Sequence, residues 1–133
     1  MVYVLDACAV IAYERNEVGI EVVRKILLSD DICWMHTINV CEVYYDFLRV
    51  GGVDAAEKVM EDLNGFGVQL YAKTDDALWK EAARYKADLR RISLADCFAL
   101  ALTKQLSATL VTSDRKEFST VRERGLCRVQ FIR

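Results

Sequence analysis

The chain has 133 residues, of which 53% are hydrophobic and 29% are charged, and its formal net charge is −2. Such a composition can fill a sizeable core, so it predicts one domain over residues 1–133 and excludes a disordered chain. No apolar run approaches the ~20 residues that cross a bilayer, and the first residues lack the basic start of a signal peptide, so we expect a cytoplasmic protein.

Short apolar runs alternate with longer helical patterns, and no proline or low-complexity linker interrupts them. The runs predict strands at residues 2–5, 32–35, 68–71, 109–112 and 128–132. Helices are predicted near residues 9–15, 18–29, 38–50, 53–64, 75–90, 94–106 and 115–123. Because strands that alternate with helices form parallel sheets covered on both faces, we expect an α/β fold whose site lies beyond the carboxyl ends of the strands.

Acidic residues stand where such a site is expected. Asp6 follows the first strand, and Asp114 follows the fourth strand by one residue, at the start of a helix. Glu42 lies in a polar stripe of "NVCEVYYDFLR", which fits a solvent-facing surface and a polar site equally well. Asp96 is surrounded by apolar residues in "SLADCFALALTKQL". A buried carboxylate costs several kcal/mol, roughly, unless a cation, hydrogen bonds or a raised pKa compensates.

Helix capping offers each acid an ordinary alternative role. Asp is a preferred cap residue, so Asp6 can cap the first helix. Three further pairs match a capping box, in which an acid follows the cap residue by three positions: Asn39 with Glu42, Ser93 with Asp96, and Asp114 with Glu117. For any one acid taken alone, capping is the favoured interpretation.

Four acids at one sheet edge favour a cation site over capping alone. Such carboxylates repel one another unless a divalent cation is bound, and Mg²⁺ prefers a few carboxylates together with water. One or two such ions can activate water for the cleavage of a phosphodiester. This chemistry needs no histidine, and His36, the only one in the chain, is predicted to be structural.

Charge is unevenly distributed along the chain. Residues 1–66 carry 5 Lys and Arg against 12 Asp and Glu, whereas residues 67–133 carry 13 against 8. This asymmetry permits a basic face for a polyanion beside an acidic pocket. The candidate contacts are Arg84, Lys86, Arg90, Arg91, Arg115 and Lys116. The five cysteines form no CxxC pair, which argues against a zinc site and predicts reduced, buried thiols.

The order "VYVLDACAVIAY", "INVCEVYY" and "ISLADCFALALTKQLSATLVTSDRKEF" resembles a PIN domain along essentially the whole chain, with the VapC-type toxins of toxin–antitoxin pairs as the nearest pattern. The resemblance implies a three-layer α/β/α sandwich around a mostly parallel sheet. It also implies an endoribonuclease that depends on Mg²⁺ or Mn²⁺ and cleaves RNA. The expected partners are a second copy in a homodimer and an antitoxin that covers the acidic site.

Carried across residue by residue, the resemblance assigns the catalytic, metal-binding acids as Asp6, Glu42, Asp96 and Asp114. Thr112 matches a polar position that supports the site, and Ser93 matches a common serine that helix capping also explains. Glu117 falls where some members have a further acid, although it is equally well explained as the capping partner of Asp114. The chain departs from the pattern at Cys8, where many members have Ser or Thr, and a thiol is the poorer hydrogen-bond partner. The sequence leaves open whether Cys8 faces the site or the core.

Other classes fit less well. A receiver domain usually has paired acids after its first strand and a Lys after its last, and here Asp6 stands alone and no Lys follows "RVQFI". Phosphatases with a D-x-D signature fail at "DAC". A non-catalytic interaction domain and a PIN-domain nuclease that matures RNA without an antitoxin remain as alternatives.

Overall fold

The computed structural model describes all residues, 1–133. Its five strands are β1 (Val2–Leu5), β2 (Ile32–His36), β3 (Gln69–Tyr71), β4 (Thr109–Thr112) and β5 (Arg128–Phe131). Its six helices are α1 (Ala7–Glu14), α2 (Ile20–Leu27), α3 (Thr37–Gly65), α4 (Asp76–Leu89), α5 (Leu94–Gln105) and α6 (Arg115–Glu123). None of these helices is both long enough and apolar enough to cross a membrane.

The strands form one parallel sheet in the order β3-β2-β1-β4-β5. β1 lies in the middle, where Val4 pairs with Trp34 of β2 on one side and with Leu110 of β4 on the other. The carboxyl ends of β1 and β4 are therefore neighbours. This topology brings Asp6 and Asp114 to the same edge of the sheet, as the sequence predicted.

Helices cover both faces of the sheet, and successive residues of β1 face opposite layers. Leu5 belongs to an apolar core shared with α1, α2 and α3. Val4 belongs to a second core shared with α4, α5 and α6. Because side chains alternate along a strand, each face of the sheet buries its own apolar set. The predicted three-layer α/β/α fold is confirmed.

The structure departs from the sequence prediction in the middle of the chain. The two helices predicted at residues 38–50 and 53–64 are both present, and together they make up α3. They join at a kink at Gly52, whose φ of +83° and ψ of −175° are not helical. Glycine is the residue that reaches such a positive φ without a steric penalty.

The cap residue predicted at Asn39 is wrong. Asn39 does not cap α3, because the helix begins two residues earlier and its cap is His36, whose Nδ1 accepts a hydrogen bond from the Ile38 N–H at 3.1 Å. Asn39 is instead fully buried inside the first turn, and its Nδ2 donates to the Ala95 carbonyl at 3.3 Å. The predicted structural role of His36 is confirmed.

The thiols are less uniformly buried than predicted. All five cysteines are free, and Cys33 and Cys97 are buried in the two cores. Cys8 and Cys127 are half-buried, whereas Cys41 is exposed on α3, which corrects the expectation for that residue. For Cys41, the position on the exposed face of α3, which apolar neighbours in the sequence do not determine, accounts for the difference.

Candidate metal centre

Asp6 caps α1 with only one of its two carboxylate oxygens. The residue follows β1 and is fully buried, and its Oδ1 accepts a hydrogen bond from the Ala9 N–H at 2.9 Å. Oδ2 is buried without a hydrogen-bond partner. Burial raises the pKa of Asp6 to about 7, and the charges of Asp114 and Glu42 act in the same direction. Capping therefore explains the residue's position but leaves a buried oxygen unsatisfied.

Asp114 and Glu117 share the first turn of α6 without forming a reciprocal capping box. Asp114 Oδ1 accepts from the Glu117 N–H at 2.9 Å, so the cap itself is present. The Asp114 N–H donates to Thr112 Oγ1 at 3.0 Å rather than to Glu117. Glu117 Oε2 instead accepts a long hydrogen bond, 3.5 Å, from the Ser93 N–H at the start of α5. The Glu117 side chain thus reaches across to α5.

Asp96 lies in the first turn of α5 with its carboxyl group buried. Ser93 caps this helix through its Oγ, which accepts from the Asp96 N–H at 3.1 Å, so the cap uses the backbone of Asp96. Burial raises the pKa of Asp96 well above its ordinary range. The Glu117 carboxyl group beside it and the charge of Asp6 raise this pKa further.

Three of these acids converge closely. One carboxylate oxygen from each of Asp96, Asp114 and Glu117 lies within 4.8 Å of the other two. Asp6 stands outside this close group, but its charge acts on Asp96. Glu42 is exposed on α3 at the rim, where partial desolvation, and next the charge of Glu117, raise its pKa.

The sequence allows two roles for Glu117, a cap partner or a further acid of the site, and the structure brings its side chain into the close group. Its position three residues after Asp114 puts both side chains on one turn of α6, above the same sheet edge. This spacing is a sequence signal that Glu117 lies next to Asp114 in the site. The contact with the Ser93 N–H depends on the loop before α5, which no local pattern of α6 reveals.

A divalent cation fits this arrangement. None of the seven ion pairs of the protein involves Asp6, Glu42, Asp96, Asp114 or Glu117. Asp6 Oδ2 has no hydrogen-bond partner, and burial outweighs the hydrogen bonds from Thr112 and Ser93 that lower the pKa values of Asp6 and Asp96, so both pKa values are raised. Carboxylate oxygens are hard ligands of the kind that Mg²⁺ and Mn²⁺ prefer.

Several basic side chains predicted to contact a polyanion have internal partners. Lys86 Nζ donates to the carbonyl oxygens of Arg90 at 2.9 Å and Ile92 at 2.7 Å, which fastens the loop before α5. Arg115 lies over the Phe131 ring and donates to the Arg133 carbonyl. A further residue of this set, Arg84, is paired with Glu81. The exposed residues without such a partner are Arg90, Arg91 and Lys116.

Solved structures share this fold. VapBC-1 from nontypeable Haemophilus influenzae is similar with a TM-score of 0.74 at 20% sequence identity, over 99% of this chain and 98% of that chain. DNA-bound VapBC from Salmonella typhimurium reaches 0.73 at 15% identity, over 100% and 99%. Mycobacterium tuberculosis VapC20, described as a Sarcin-Ricin loop cleaving toxin, reaches 0.71 at 14% identity, over 90% and 95%.

The sequence comparisons are of two kinds. No curated protein sequence matches the chain. A family model described as PIN domain matches residues 3–124, which include every acid of the site, β2 to β4 and all of β1 except Val2. The chain belongs to the PIN domain family.

Proposed function

We propose that this protein is a metal-dependent endoribonuclease and the toxin of a type II toxin–antitoxin pair. The observation that carries the proposal is the close approach of Asp96, Asp114 and Glu117 beside the unpartnered oxygen of Asp6, with no cationic side chain among them. Membership of the PIN family supports nuclease chemistry. The structural likeness to VapBC proteins supports the toxin assignment.

The residues that would hold Mg²⁺ or Mn²⁺ are Asp6, Glu42, Asp96 and Asp114, with Glu117 as a fifth candidate. When bound, the ion would lower the pKa of a water molecule and stabilise the charge that develops on the phosphate oxygens. Asp6 and Asp114 keep their positions because one oxygen of each is fixed by a helix N–H. Ser93 orients Asp96 through the first turn of α5.

RNA is the proposed substrate because exposed basic residues lie on the segments that carry the site. Arg90 and Arg91 precede the cap of α5, and Lys116 lies in the first turn of α6. Cationic side chains at these places would neutralise backbone phosphates next to the carboxylates. A Sarcin-Ricin loop cleaving toxin among the similar structures favours RNA over DNA.

Incubation of the purified protein with total RNA, followed by mapping of cut ends, tests the nuclease activity. We expect cleavage in Mg²⁺ or Mn²⁺, none in EDTA, and none from Asp96→Asn. Asp54→Asn, an exposed acid of α3, is the matched control and should cleave like the wild type. Full activity in EDTA, or full activity of Asp96→Asn, would contradict the metal mechanism.

Partners and assembly are tested in cells. If the protein is a toxin, its expression alone arrests growth, Asp6→Ala relieves the arrest, and co-expression of a small protein encoded next to its gene neutralises it. The proposed homodimer is tested by light scattering. Normal growth with soluble, folded protein that still cleaves RNA would favour the alternative, a PIN-domain nuclease that matures RNA without an antitoxin.

A further inference from the structure

Lys86 fastens the loop between α4 and α5 through an ammonium group that has no acidic partner. Its side chain is half-buried near the end of α4, and none of the seven ion pairs of the protein involves it. The Nζ group instead donates to the carbonyl oxygens of Arg90 at 2.9 Å and Ile92 at 2.7 Å. Because hydrogen bonds from a charged donor are roughly twice as strong as neutral ones, Lys86 fixes two peptide groups of this loop.

The backbone of this loop needs such support. Arg90 has a φ of +59° and a ψ of −53°, a combination that residues with a side chain rarely adopt. The Arg90 N–H also donates to the Lys86 carbonyl at 3.0 Å, so the two residues are bonded in both directions. Ile92 is buried in the second apolar core. The loop is thus held in a strained conformation directly before the first turn of α5.

The peptide group between Ile92 and Ser93 joins Lys86 to the acidic site. Its carbonyl oxygen accepts from Lys86 Nζ at 2.7 Å, and its N–H, which belongs to Ser93, donates to Glu117 Oε2 at 3.5 Å. Because a peptide group is planar, a hydrogen bond that fixes the oxygen also fixes the direction of the N–H. A cation at the oxygen polarises the group as well, which strengthens the N–H as a donor.

The Glu117 carboxylate depends on this N–H for its place. One of its oxygens lies within 4.8 Å of an oxygen of Asp96 and of Asp114, and carboxylates at such distances repel one another. The Ser93 N–H is the one backbone group that donates to the Glu117 side chain. Ser93 also caps α5 through the Asp96 N–H. A displaced loop would therefore release Glu117 from the close group.

We propose that Lys86 is a positioning residue of the metal site, which keeps the Glu117 carboxylate among the other acids through the Ile92–Ser93 peptide group. The inference rests on the metal site of the proposed function and extends it to a residue that forms no hydrogen bond or ion pair with the acids. Position and charge have opposite consequences here. As a nearby positive charge Lys86 repels a cation, so charge alone predicts that its removal raises the affinity for a divalent cation. Positioning predicts that its removal lowers this affinity.

Calorimetric titration of the full-length protein with Mn²⁺ tests the proposal without a measurement of activity. Lys86→Met removes the ammonium group and keeps the length of the side chain, whereas Lys86→Arg keeps donors for both carbonyl oxygens. Lys80→Met, at an exposed lysine of the same helix, is the matched control for the change in charge. Lys86→Met is also measured in a Glu117→Gln background, in which an effect that acts through the Glu117 carboxylate is already lost.

We expect Lys86→Met to lower the Mn²⁺ affinity about tenfold, Lys86→Arg to retain most of the affinity, and Lys80→Met to match the wild type. In the Glu117→Gln background, Lys86→Met should change the affinity by less than about twofold. If circular dichroism shows that Lys86→Met is unfolded, Lys86→Gln replaces it and carries the same expectations.

Two results would overturn the role of Lys86 alone. One is a Mn²⁺ affinity of Lys86→Met that equals or exceeds that of Lys80→Met. The other is a loss on Lys86→Met that is as large in the Glu117→Gln background as in the wild type, because the effect would then not pass through Glu117. A wild-type protein that binds no Mn²⁺ would instead overturn the metal site and, with it, the proposed function.

Discussion

The Asn39 side chain donates to the Ala95 carbonyl oxygen at 3.3 Å and so joins the first turn of α3 to the first turn of α5. One helix carries Glu42 a turn further on, and the other carries Asp96 at the next position. Asn39 Oδ1, on the other side of the amide, is buried without a partner. The amide therefore links two parts of the site at the cost of an unsatisfied oxygen.

Replacement of Asn39 by leucine should lower RNA cleavage without lowering the stability of the fold. The lost hydrogen bond contributes about 1 kcal/mol, and removal of a buried unsatisfied oxygen returns about 1–3 kcal/mol, so the free energy of unfolding should stay within about 1 kcal/mol or rise. Cleavage should fall severalfold, because α5 loses this polar link to α3. Urea unfolding and RNA cleavage measure the two effects, with Asn64→Leu on the exposed face of α3 as control. A loss of more than about 2 kcal/mol would show that the amide is mainly structural.

Protonation of His36 should destabilise the fold. Its Nδ1 accepts from the Ile38 N–H, so the neutral ring carries its proton on Nε2, which faces Thr74 Oγ1 at 2.8 Å. Burial lowers the pKa of His36 below 6.5. The contribution of the neutral ring is thus complete above about pH 6.5 and is lost as the pH falls through the folded-state pKa.

Urea unfolding of the wild type and of His36→Gln between pH 8 and pH 5 measures this effect. The variant should be less stable at pH 8, because it loses the ring contacts with Phe98 and Tyr71. The difference between the two proteins should shrink toward pH 5. Parallel pH profiles would rule out a destabilising protonation of His36.

Asp96→Asn should stabilise the metal-free protein. Because the pKa of Asp96 is raised on folding, its unfavourable contribution is absent near pH 4 and grows as the pH rises through the folded-state pKa. We expect a gain of about 1–3 kcal/mol at pH 8 in EDTA and almost none near pH 4. Thermal unfolding in EDTA at the two pH values tests whether Asp96→Asn is more stable than the wild type at pH 8 and equally stable near pH 4.

Addition of Mn²⁺ should make the wild type more stable than Asp96→Asn. A ligand present at 100 times its dissociation constant stabilises the folded state by about 2.7 kcal/mol, and Asp96→Asn loses a ligand and most of this gain. Equal Mn²⁺ stabilisation of both proteins would place the ion elsewhere.

RNA binding should depend on salt through a few identified side chains. Each of Arg91→Ala and Lys116→Ala, in an inactive Asp96→Asn background, should reduce the slope of log affinity against log salt by roughly 0.7–0.9. Lys25→Ala, an exposed cation on α2, should leave it unchanged. Arg115 is a poor choice for this test, because its contacts with Phe131 and Arg133 make its replacement structural as well. Fluorescence anisotropy over a salt series provides the slopes.

Much of this architecture could be predicted from local sequence. β1 and β4 occupy the predicted residues, and α6 spans 115–123 as expected, because apolar period and helix caps are both local signals. The proximity of Asp6 and Asp114 could be predicted because both acids follow strands of a parallel sheet, and the carboxyl ends of such strands share one edge. Neither prediction required knowledge of a specific contact between residues that are far apart in the sequence.

The start of α3 could not be predicted, because it depends on a contact between residues that are far apart in the sequence. The cap at His36 depends on a ring orientation that Thr74 holds from 38 positions away. The reach of Glu117 to α5 likewise depends on the loop that Lys86 fastens. The facing of Cys8 is a question of helix rotation, and α1 is too short and too uniformly apolar for its period to fix that rotation.

The division of the Asp6 carboxyl group between a capping oxygen and an unpartnered one has a consequence for substitutions at this position. An asparagine at this position could still offer one oxygen to the Ala9 N–H, so a protein that had lost the acid would still fold. Capping requires only a short side chain with an oxygen at this position, and the proposed metal site would account for the charge. A single Asp6→Asn substitution should therefore remove the charge, and with it the proposed metal site, while the fold is kept.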